Sequence, residues 1–445
     1  MELNQGQRKV VRAVVRGENV FMTGDAGTGK SVAVEHCMEA FKAHNKEVLL
    51  CAPTGIAAQQ IGGATIHRTF GFSLAPKVAD EIENLKVPKV VRQADTIIID
   101  EIGMVRRDLM DAIVRVIELE NDHRKGKRSP IQLVVVGDFA QLPPVVTQQD
   151  QDVLVVQYGE QSRRSGYYAF EADGWTRMGF KSYQLTEPMR QSDREFLGKL
   201  SLARMGNSAC IDFFNRFVRE APGDAVAIVP TNREAEELNN KRLEQLTHKK
   251  LVYRGQLTGV FEKRDMAAPL ELTLARGARV IILTNNTARG YVNGLTGIVR
   301  EVRKDEVEVL LDKGGVVKVI PFTWENIEYE VVETKGKKKL NQKVVGTYTQ
   351  IPLKLAWAIT YHKSQGQTLS SINIRPDVFA SGMLYVGLSR VTAPEGLYLT
   401  NNIVSKRLKA DKAVVNFYRE VAQLQLAEAL RSQSEDDDGA IGSWN

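Results

Sequence analysis

A glycine-rich run that ends in lysine and serine is the pattern in this chain best suited to chemistry. It occupies residues 24–31 and follows a short apolar run at 19–23. Backbone N–H groups in such a loop can surround phosphate oxygens because glycine has no Cβ, the lysine adds a positive charge, and the serine offers a hydroxyl to Mg²⁺. A helix that begins near Ser31 would direct its positive end to the same anion. The residues predicted to bind a nucleoside triphosphate are Gly24, Ala26, Gly27, Thr28, Gly29, Lys30 and Ser31. The alternative is a glycine-rich turn between core elements.

Two carboxylates end a later apolar run. Asp100 and Glu101 directly follow three isoleucines at 97–99. The carboxyl ends of parallel strands face the site at which such a loop holds phosphate. Asp100 can hold Mg²⁺, directly or through water, and Glu101 can polarise the attacking water. The alternative is a pair of solubilising charges at a strand end.

Polar side chains elsewhere could complete the same site. Gln141 follows another apolar run and could sense the γ-phosphate, and Gln7 precedes a helix and could pair with the adenine edge. Arg190 and Arg390 lie in a predicted second α/β unit and could neutralise charge in the transition state of phosphoryl transfer. ATP would then join two domains, whose closure and opening would follow hydrolysis. From residue type alone, most arginines are surface charges.

The elements that position these side chains alternate between strands and helices. Continuous apolar runs bounded by turn signals predict a parallel sheet covered on both faces, and therefore an α/β domain over the first 180 residues. A second α/β unit begins near residue 181 and resumes near 356. The predicted strands of the two units are 19–23, 48–52, 96–100, 133–137, 225–230, 371–375 and 397–400, and the predicted helices include 31–44, 107–120 and 233–246.

The segment between the halves of the second unit differs in pattern. Closely spaced short strands with glycine turns predict a small β-barrel or sandwich inserted at 256–355. A lysine-rich stretch at 335–339 reads as the tip of one of its loops. We expect the acidic end of the chain, 432–445, to be disordered.

Composition limits the class of protein. The chain has 445 residues, of which 43% are hydrophobic and 26% charged, which suits several packed domains. No apolar run approaches the ~20 residues needed to cross a bilayer, and we expect a cytoplasmic protein. Its three cysteines, Cys37, Cys51 and Cys210, form no Cys-x-x-Cys pair, so they predict neither a zinc site nor an iron–sulfur cluster.

Charge is unevenly distributed along the chain. The net charge is +6, but residues 432–445 hold four acidic residues and no lysine or arginine, so the first 431 residues carry +10. A basic body suits an anionic polymer as partner, although general solubility is the alternative. The acidic tail could be a docking peptide for a protein partner, or a solvated segment that binds no partner.

Taken together, these blocks resemble a superfamily-one helicase of the 5′→3′ class, specifically the Pif-type family with its RecD relatives. The resemblance implies two RecA-like domains, a small wedge insertion at 63–90 in the first, and an SH3-like barrel in the second. The implied domains are 1–62 with 91–180, and 181–255 with 356–431. The segment between Met104 and Gly137 follows the family only in part. The blocks that carry the resemblance are 24–31, 52–55, 100–104, 137–144, 189–191, 350–366 and 385–390.

The resemblance also assigns roles to individual residues. By this likeness Gln7 reads the adenine, Gln141 senses the γ-phosphate, Arg190 and Arg390 complete the site, and Gly366 contacts the nucleotide. Hydroxyls and backbone N–H groups would hold a single strand without reading its sequence. Phe70 and Phe72 could stack on bases, with core packing as the alternative. The residues implied to line the strand's path are Pro53, Thr54, Thr65, His67, Thr360, His362, Lys363 and Ser364.

The resulting expectation is a monomeric ATP- and Mg²⁺-dependent DNA helicase of compact bacterial or phage type, acting on single-stranded DNA and single/double-strand junctions. One rival is a metabolic phosphotransferase built on the same loop, which gives no reason for a second α/β unit bearing arginines. The other is a nucleotide-gated DNA-binding or loader subunit of a larger RecD-like complex.

Overall fold

A computed structural model describes residues 2–164, 167–187, 193–334, 337–391 and 393–441. Its first domain is built on a six-stranded parallel sheet with the strand order β3-β2-β4-β5-β1-β6. The strands are β1 (Val20–Gly24), β2 (Val48–Ala52), β3 (Ala64–Thr65), β4 (Thr96–Ile99), β5 (Gln132–Val136) and β6 (Lys181–Leu185). The four predicted strands of this domain are confirmed to within about two residues at their ends.

Helices cover both faces of this sheet. Every residue of β1, β4 and β5 is buried, which is why the sequence shows continuous apolar runs there rather than alternation. Separate hydrophobic cores lie on the two faces. The helices of this domain are α1 (Gln5–Val15), α2 (Lys30–Ala43), α3 (Gly55–Gln60), α4 (Ile66–Phe70), α5 (Ala79–Glu83), α6 (Lys89–Gln93), α7 (Arg107–Arg124), α8 (Gln148–Tyr158) and α9 (Asp173–Met178).

The segment expected to form a wedge, 63–90, is divided in the structure. Its first part supplies the edge strand β3, which pairs in parallel with β2, and helix α4, whose Ile66 and Phe70 are buried in the main core. The part after Phe72 packs on the same core, since Val87 belongs to it and Ile82 and Leu85 contact it. The expected boundary at residue 63 therefore falls inside the α/β domain.

The second domain begins with α10 (Arg194–Arg204) and α11 (Ile211–Asn215), followed by β7 (Val226–Val229) and α12 (Asn232–Glu244). An all-β insertion comes next. Its largest sheet has five antiparallel strands in the order β14-β13-β12-β11-β17. The strands of the insertion are β8 (Leu251–Arg254), β9 (Gln256–Gly259), β10 (Glu271–Leu274), β11 (Arg279–Ile282), β12 (Thr296–Val302), β13 (Val307–Leu311), β14 (Val316–Val319), β15 (Phe322–Thr334), β16 (Lys337–Gln350) and β17 (Leu353–Leu355).

Strands β15 and β16 form a long antiparallel hairpin that reaches the first domain. The Tyr329 hydroxyl accepts a hydrogen bond of 3.1 Å from the Leu50 N–H in β2. The Leu340 N–H donates to the Glu47 carboxylate at 3.0 Å, and Arg68 pairs with Glu328 at 3.2 Å. The insertion is therefore docked on the first domain as well as joined to the second.

After the insertion the chain completes a four-stranded parallel sheet in the order β18-β7-β19-β20. Its core is distinct from those of the first domain. These elements are β18 (Ala358–Thr360), α13 (Tyr361–Ser364), β19 (Ile372–Ile374), α14 (Met383–Leu388) and β20 (Leu397–Leu399). The sequence predicts such an interrupted second α/β unit, but its predicted start near residue 181 is too early, because β6 pairs with β1 in the first sheet.

The final helix, α15 (Lys412–Ile441), returns to the first domain. Phe417 stacks on Phe170 with ring centroids 4.3 Å apart, and the Tyr418 hydroxyl lies 2.9 Å from the Thr23 hydroxyl in β1. The sequence predicts a second domain that extends to residue 431 and disorder from 432. The structure instead continues the helix to Ile441, in keeping with the run of good helix formers after residue 420.

No helix among the described residues has both the length and the apolar character required to cross a lipid bilayer.

Candidate nucleotide site and nucleic-acid path

The glycine-rich loop joins buried strand β1 to helix α2, as predicted. Gly29 is the N-cap of α2 and has a left-handed backbone with φ 78°. The Lys30 Nζ donates to the carbonyl oxygens of Gly24 at 2.8 Å and Asp25 at 3.2 Å. Burial lowers the pKa of Lys30, while the nearby carboxylates of Asp138 and Glu101 oppose that shift. The loop thus presents a cation and the start of a 14-residue helix to the same space.

Asp100 and Glu101 leave the end of β4 in a strained turn. Glu101 has a left-handed backbone with φ 52°, which is uncommon for a residue with a side chain. Its N–H donates to Asp100 Oδ1 at 2.8 Å. Burial, and then the neighbouring Asp100, raise the pKa of Glu101 to about 7, against the opposing charges of Lys30 and Arg390. The pair therefore combines an oxygen ligand with a carboxylate that can accept a proton near neutrality.

The second domain reaches Glu101 across the cleft. Gln365 Nε2 donates to Glu101 Oε2 at 3.1 Å. The Arg390 guanidinium donates to the carbonyl oxygens of Val386 at 2.7 Å and Ser364 at 3.2 Å, and its charge lowers the pKa of Glu101. Arg390 therefore lies near Glu101, as its predicted role requires. Gln365 was not singled out from the sequence, although it lies inside the 350–366 block.

Tyr385 is a second contact that the sequence did not reveal. It lies on α14 and is buried, and its hydroxyl accepts a hydrogen bond of 3.2 Å from the Ala26 N–H of the phosphate loop. Desolvation raises the pKa of Tyr385 well above its ordinary value, so the hydroxyl keeps its proton. The loop is therefore held from the second domain at Ala26 as well as at its own ends.

Gln141 occupies a loop that both domains share. Its Nε2 donates to Asp138 Oδ2 at 3.4 Å, and the next residue, Leu142, is buried in the core of the second domain. Gly382, with φ 73°, packs so closely that a Cβ would overlap the Gln141 carbonyl oxygen. Only glycine accepts both this backbone and this approach. The structure thus connects Gln141 mechanically to α14, which Gly382 caps.

Gln7 lies at the phosphate loop, although its amide is used locally. Its Oε1 accepts from the Asn4 N–H at 2.9 Å in a capping box, and its Nε2 donates to the Gly29 carbonyl at 3.1 Å. The side chain is fully buried. Its predicted role as the adenine-reading amide stays a prediction, as does nucleotide contact by Gly366, which has a left-handed backbone with φ 74°. Arg190 lies outside the described residues.

The residues predicted to hold Mg²⁺ fit an ion that also binds phosphate. Ser31 is exposed at the start of α2, and Asp100 offers carboxylate oxygens beside Lys30. No cluster of three or more His, Cys, Asp or Glu side chains suited to a metal occurs among the described residues. A hydroxyl and one carboxylate suit Mg²⁺, which commonly completes its octahedron with water and substrate phosphates.

The first-domain residues of the predicted strand path lie at neighbouring strand ends. The Thr54 and Thr65 hydroxyls accept from the N–H groups of Ala57 and Arg68, so each caps the short helix that follows. Thr54 follows Pro53 at the end of β2, and Thr65 ends β3, which pairs with β2. The sequence prediction that these residues line one surface is compatible with this arrangement.

A turn of the insertion covers part of this surface. The Asp265 carboxylate lies against Gly55, where a Cβ would overlap it, and its carbonyl accepts from Gln59 Nε2 at 3.2 Å. His67 lies near this turn, because the charge of Arg264 acts on it. Burial, and then the charges of Arg106 and Arg264, lower the pKa of His67 to about 4. The protein's own chain therefore covers part of the predicted path.

The predicted path in the second domain is only partly exposed. His362 and Lys363 are exposed. Thr360 and Ser364 are buried: the Thr360 hydroxyl accepts from the Lys363 N–H, and the Ser364 hydroxyl donates to the Tyr361 carbonyl at 2.8 Å. These two hydroxyls stabilise α13 and do not face a strand in this structure, so the prediction of direct contact is wrong for them here.

The prediction that Phe70 and Phe72 stack on bases is also wrong. Phe70 is 3% exposed and Phe72 is 9% exposed, and their rings stack on each other with centroids 5.3 Å apart. Both belong to the main core of the first domain. The alternative of core packing is confirmed, because α4 folds back under the sheet.

Comparison with known proteins identifies the family of the chain. The sequence model of the PIF1-like helicase family matches residues 2–197. The ATP-dependent DNA helicase PIF1 of Xenopus laevis is 32% identical over 461 residues, covering 98% of this chain and 67% of the relative.

Two solved structures of a Bacteroides Pif1 extend the likeness to three dimensions. The complex with ADP-AlF4 aligns with a TM-score of 0.84 at 30% identity, covering 95% of this chain and 98% of the other. The complex bound to single-stranded DNA aligns with a TM-score of 0.64 at 30% identity, covering 94% and 97%. On these sequence and structural grounds, the chain belongs to the PIF1-like helicase family.

Proposed function

We propose that this chain is an ATP-dependent DNA helicase that moves 5′→3′ along single-stranded DNA and separates duplex DNA at single/double-strand junctions. The observation that carries this proposal is the hydrogen bond between Gln365 and Glu101, which joins the second domain to the carboxylate suited to activate water. Hydrolysis in such a cleft changes the relative position of the two domains. Repeated closure and opening then moves the strand.

The side chains around the phosphate loop supply the hydrolysis. Glu101 accepts a proton from the attacking water, and Lys30 neutralises the outer phosphates. Gln141 senses the γ-phosphate, and Arg390, with Arg190, stabilises the transition state. Mg²⁺, when held by Ser31, Asp100 and the nucleotide, would supply charge neutralisation at the transferred phosphoryl group. Support for these roles comes from the burial and position of the described residues.

Movement of the insertion accompanies DNA binding in this proposal. The Asp265 turn lies on Gly55, beside Thr54 and Pro53 in the predicted path. A strand that follows this surface must displace that turn. The lower TM-score to the neighbour bound to single-stranded DNA than to the one with ADP-AlF4, at equal identity, supports a different arrangement of domains when DNA is present.

A wedge formed after Phe72 and an SH3-like barrel in the insertion complete the proposal. In this proposal the short helix α5, which packs beside α7 at the edge of the main core, supplies the element that separates strands. The five-stranded sheet of β11–β14 and β17, with the smaller sheets beside it, supplies the barrel-like insertion. The average cost of opening a base-pair step, ~1.4 kcal/mol, is small for a motor that hydrolyses ATP.

ATP hydrolysis measured with and without single-stranded DNA tests the proposal. We expect DNA to raise turnover strongly. Lys30→Ala should abolish turnover while leaving DNA binding intact, and Arg390→Ala should retain ATP binding but suppress turnover. Turnover that DNA does not stimulate would contradict the proposed motor. A purified chain that binds DNA and ATP but does not separate strands would instead favour the loader-subunit alternative.

The acidic end of the chain is not needed for this activity. Residues 432–438 hold all four acidic residues of the tail. Deleting 432–445 should leave DNA-stimulated hydrolysis unchanged in the purified protein. Loss of that activity would show that the tail acts inside the motor, and loss of a bound protein alone would identify it as a docking segment.

A further inference from the structure

Arg204 is a buried cation that the second domain places against the phosphate loop. It is the last residue of α10, whose Phe196 and Leu200 are buried in the core of the second domain. Its own side chain is only 1% exposed. A guanidinium so thoroughly removed from water requires compensating partners.

Those partners all lie outside the second α/β core. Arg204 Nη2 donates to Asp138 Oδ1 at 2.8 Å, and its Nε lies 3.2 Å from both Asp138 oxygens. The same Nε is 3.3 Å from Asp25 Oδ1. The guanidinium also stacks over the Tyr418 ring at 4.1 Å. One cation thus serves two carboxylates, one in the phosphate loop and one in the Gln141 loop.

The Asp138 carboxylate accepts several further hydrogen bonds. It accepts from the Tyr418 hydroxyl at 2.9 Å and from the Ala140 N–H at 3.0 Å, as well as from Gln141. Burial is the largest single effect and opposes its ionisation, but the charge and hydrogen bonds of Arg204, the charge of Lys30 and the Ala140 N–H together hold the pKa of Asp138 below its usual value. Asp138 is therefore an anion, and its position fixes the loop that carries Gln141.

Asp25 is the less compensated of the two carboxylates. Burial raises its pKa, Arg204 and Lys30 lower it, and Asp138 raises it further. Its Oδ1 is buried without a hydrogen-bond partner of good geometry. An anionic side chain inside a phosphate-binding loop repels a triphosphate unless a cation offsets it. Arg204 is the cation in contact with it.

We propose that Arg204 is a positioning residue for the nucleotide: anchored on Asp138, it neutralises Asp25 in the phosphate loop, so that the second domain sets the affinity for ATP. The proposal rests on the ATP site proposed above and adds a residue that does not itself touch the nucleotide. Because Arg204 belongs to the second domain, any motion that withdraws α10 from the loop leaves Asp25 unopposed and weakens nucleotide binding.

A double-mutant cycle on the full chain tests this charge relation. Binding of a fluorescent ATP analogue, without DNA, is titrated for Arg204→Gln, Asp25→Asn and the double variant. Arg204→Gln should weaken binding ~10-fold or more, which corresponds to about 1.4 kcal/mol. The double variant should bind within ~3-fold of Asp25→Asn alone, because the unopposed charge is gone. Additive losses in the double variant would overturn the proposal.

Thermal unfolding without nucleotide separates positioning from mere stabilisation. Arg204→Gln should lower the melting temperature, and the double variant should stay equally low because Asp138 remains unpaired. Arg124→Gln is the matched control, since Arg124 is also buried and paired, with Glu120 at 2.9 Å, but lies on α7. It should lose stability and keep its affinity for the ATP analogue.

Arg204→Lys keeps the test decisive if the glutamine variant folds poorly. Lysine retains the charge but cannot form the paired contact or the same stack. It should lower stability and leave affinity within ~3-fold of the unaltered chain. Affinity lost with the charge retained would overturn the proposal. Failure of the unaltered chain to bind the analogue would instead contradict the ATP site itself.

Discussion

The amide of Gln365 and the carboxylate of Glu101 form a hydrogen bond of 3.1 Å, although they are 264 residues apart in the chain. One belongs to the second domain and the other ends strand β4 of the first. Desolvation, and then Asp100, raise the pKa of this carboxylate to about 7. The group suited to activate water is thus held from the opposite side of the cleft.

Replacing Gln365 tests whether this contact matters for turnover. In Gln365→Ala we expect kcat for ATP to fall ~10-fold or more, because a hydrogen bond to a charged group is worth about 1.5–3 kcal/mol. KM should change little. Steady-state ATPase assays with single-stranded DNA measure both constants. Gln161→Ala is the control, since that exposed amide reaches only the Tyr158 carbonyl. An unchanged kcat in Gln365→Ala would show that this hydrogen bond does not position Glu101 for catalysis.

Replacing Gly382 tests the mechanical connection to Gln141. An added Cβ would overlap the Gln141 carbonyl oxygen, and the backbone, with φ 73°, disfavours any side chain. Gly382→Ala should therefore lower both the melting temperature and the DNA-stimulated ATPase.

Gly198→Ala provides the control for Gly382. Gly198 lies inside α10, and a Cβ there meets nothing within 4 Å. This control should raise stability by about 0.5–1 kcal/mol, measured by denaturant unfolding, because alanine is the better helix former. Equal behaviour of the two alanine variants would contradict the proposed close approach.

Removing the Asp265 side chain tests whether the insertion competes with DNA. The carboxylate lies against Gly55, at the predicted strand path. If only a fraction of molecules leave this surface free, Asp265→Ala should increase affinity for single-stranded DNA ~3-fold or more by raising that fraction. Asp305→Ala removes the same charge from an exposed position in the insertion. Affinity for single-stranded DNA is measured by fluorescence anisotropy. Equal affinities of the two variants would show that Asp265 affects DNA binding only through net charge.

His67 should contribute to the acid sensitivity of the fold. Burial, then Arg106 and Arg264, lower its pKa from 6.5 to about 4. Between these values the unfolded chain binds the proton and the folded chain does not, so stability falls as pH drops from about 6.5 to 4. His67→Gln should flatten this part of a curve of unfolding free energy against pH. His44→Gln, at an exposed helix end, serves as the control for loss of a histidine.

The sequence predicted those parts of the site that local pattern determines. The phosphate loop, the strand before it and the Asp-Glu pair at the end of β4 follow from glycine spacing and apolar runs, and their positions are confirmed. The contacts of Arg204 with Asp138 and of Gln365 with Glu101 join residues 66 and 264 positions apart, and no periodicity encodes such pairs. They arise from how two separate sheets pack.

The aromatic residues show a different limit. Phe70 and Phe72 lie in and just after a five-residue helix, too short for a reliable apolar period. The sequence pattern of so short a segment does not distinguish an aromatic side chain that faces DNA from one that packs in the core. Burial under the sheet decides for the core here. The hydroxyls of Thr360 and Ser364 are similarly used to stabilise a helix of four residues.

The measurement that tests the central claim most directly is strand displacement on two matched duplexes, one with a 5′ single-stranded tail and one with a 3′ tail, in the presence of ATP and Mg²⁺. We predict displacement of the 5′-tailed duplex and little of the 3′-tailed one, with both lost in Lys30→Ala. Equal displacement of the two, or displacement that persists in Lys30→Ala, would contradict directed movement driven by hydrolysis in this cleft.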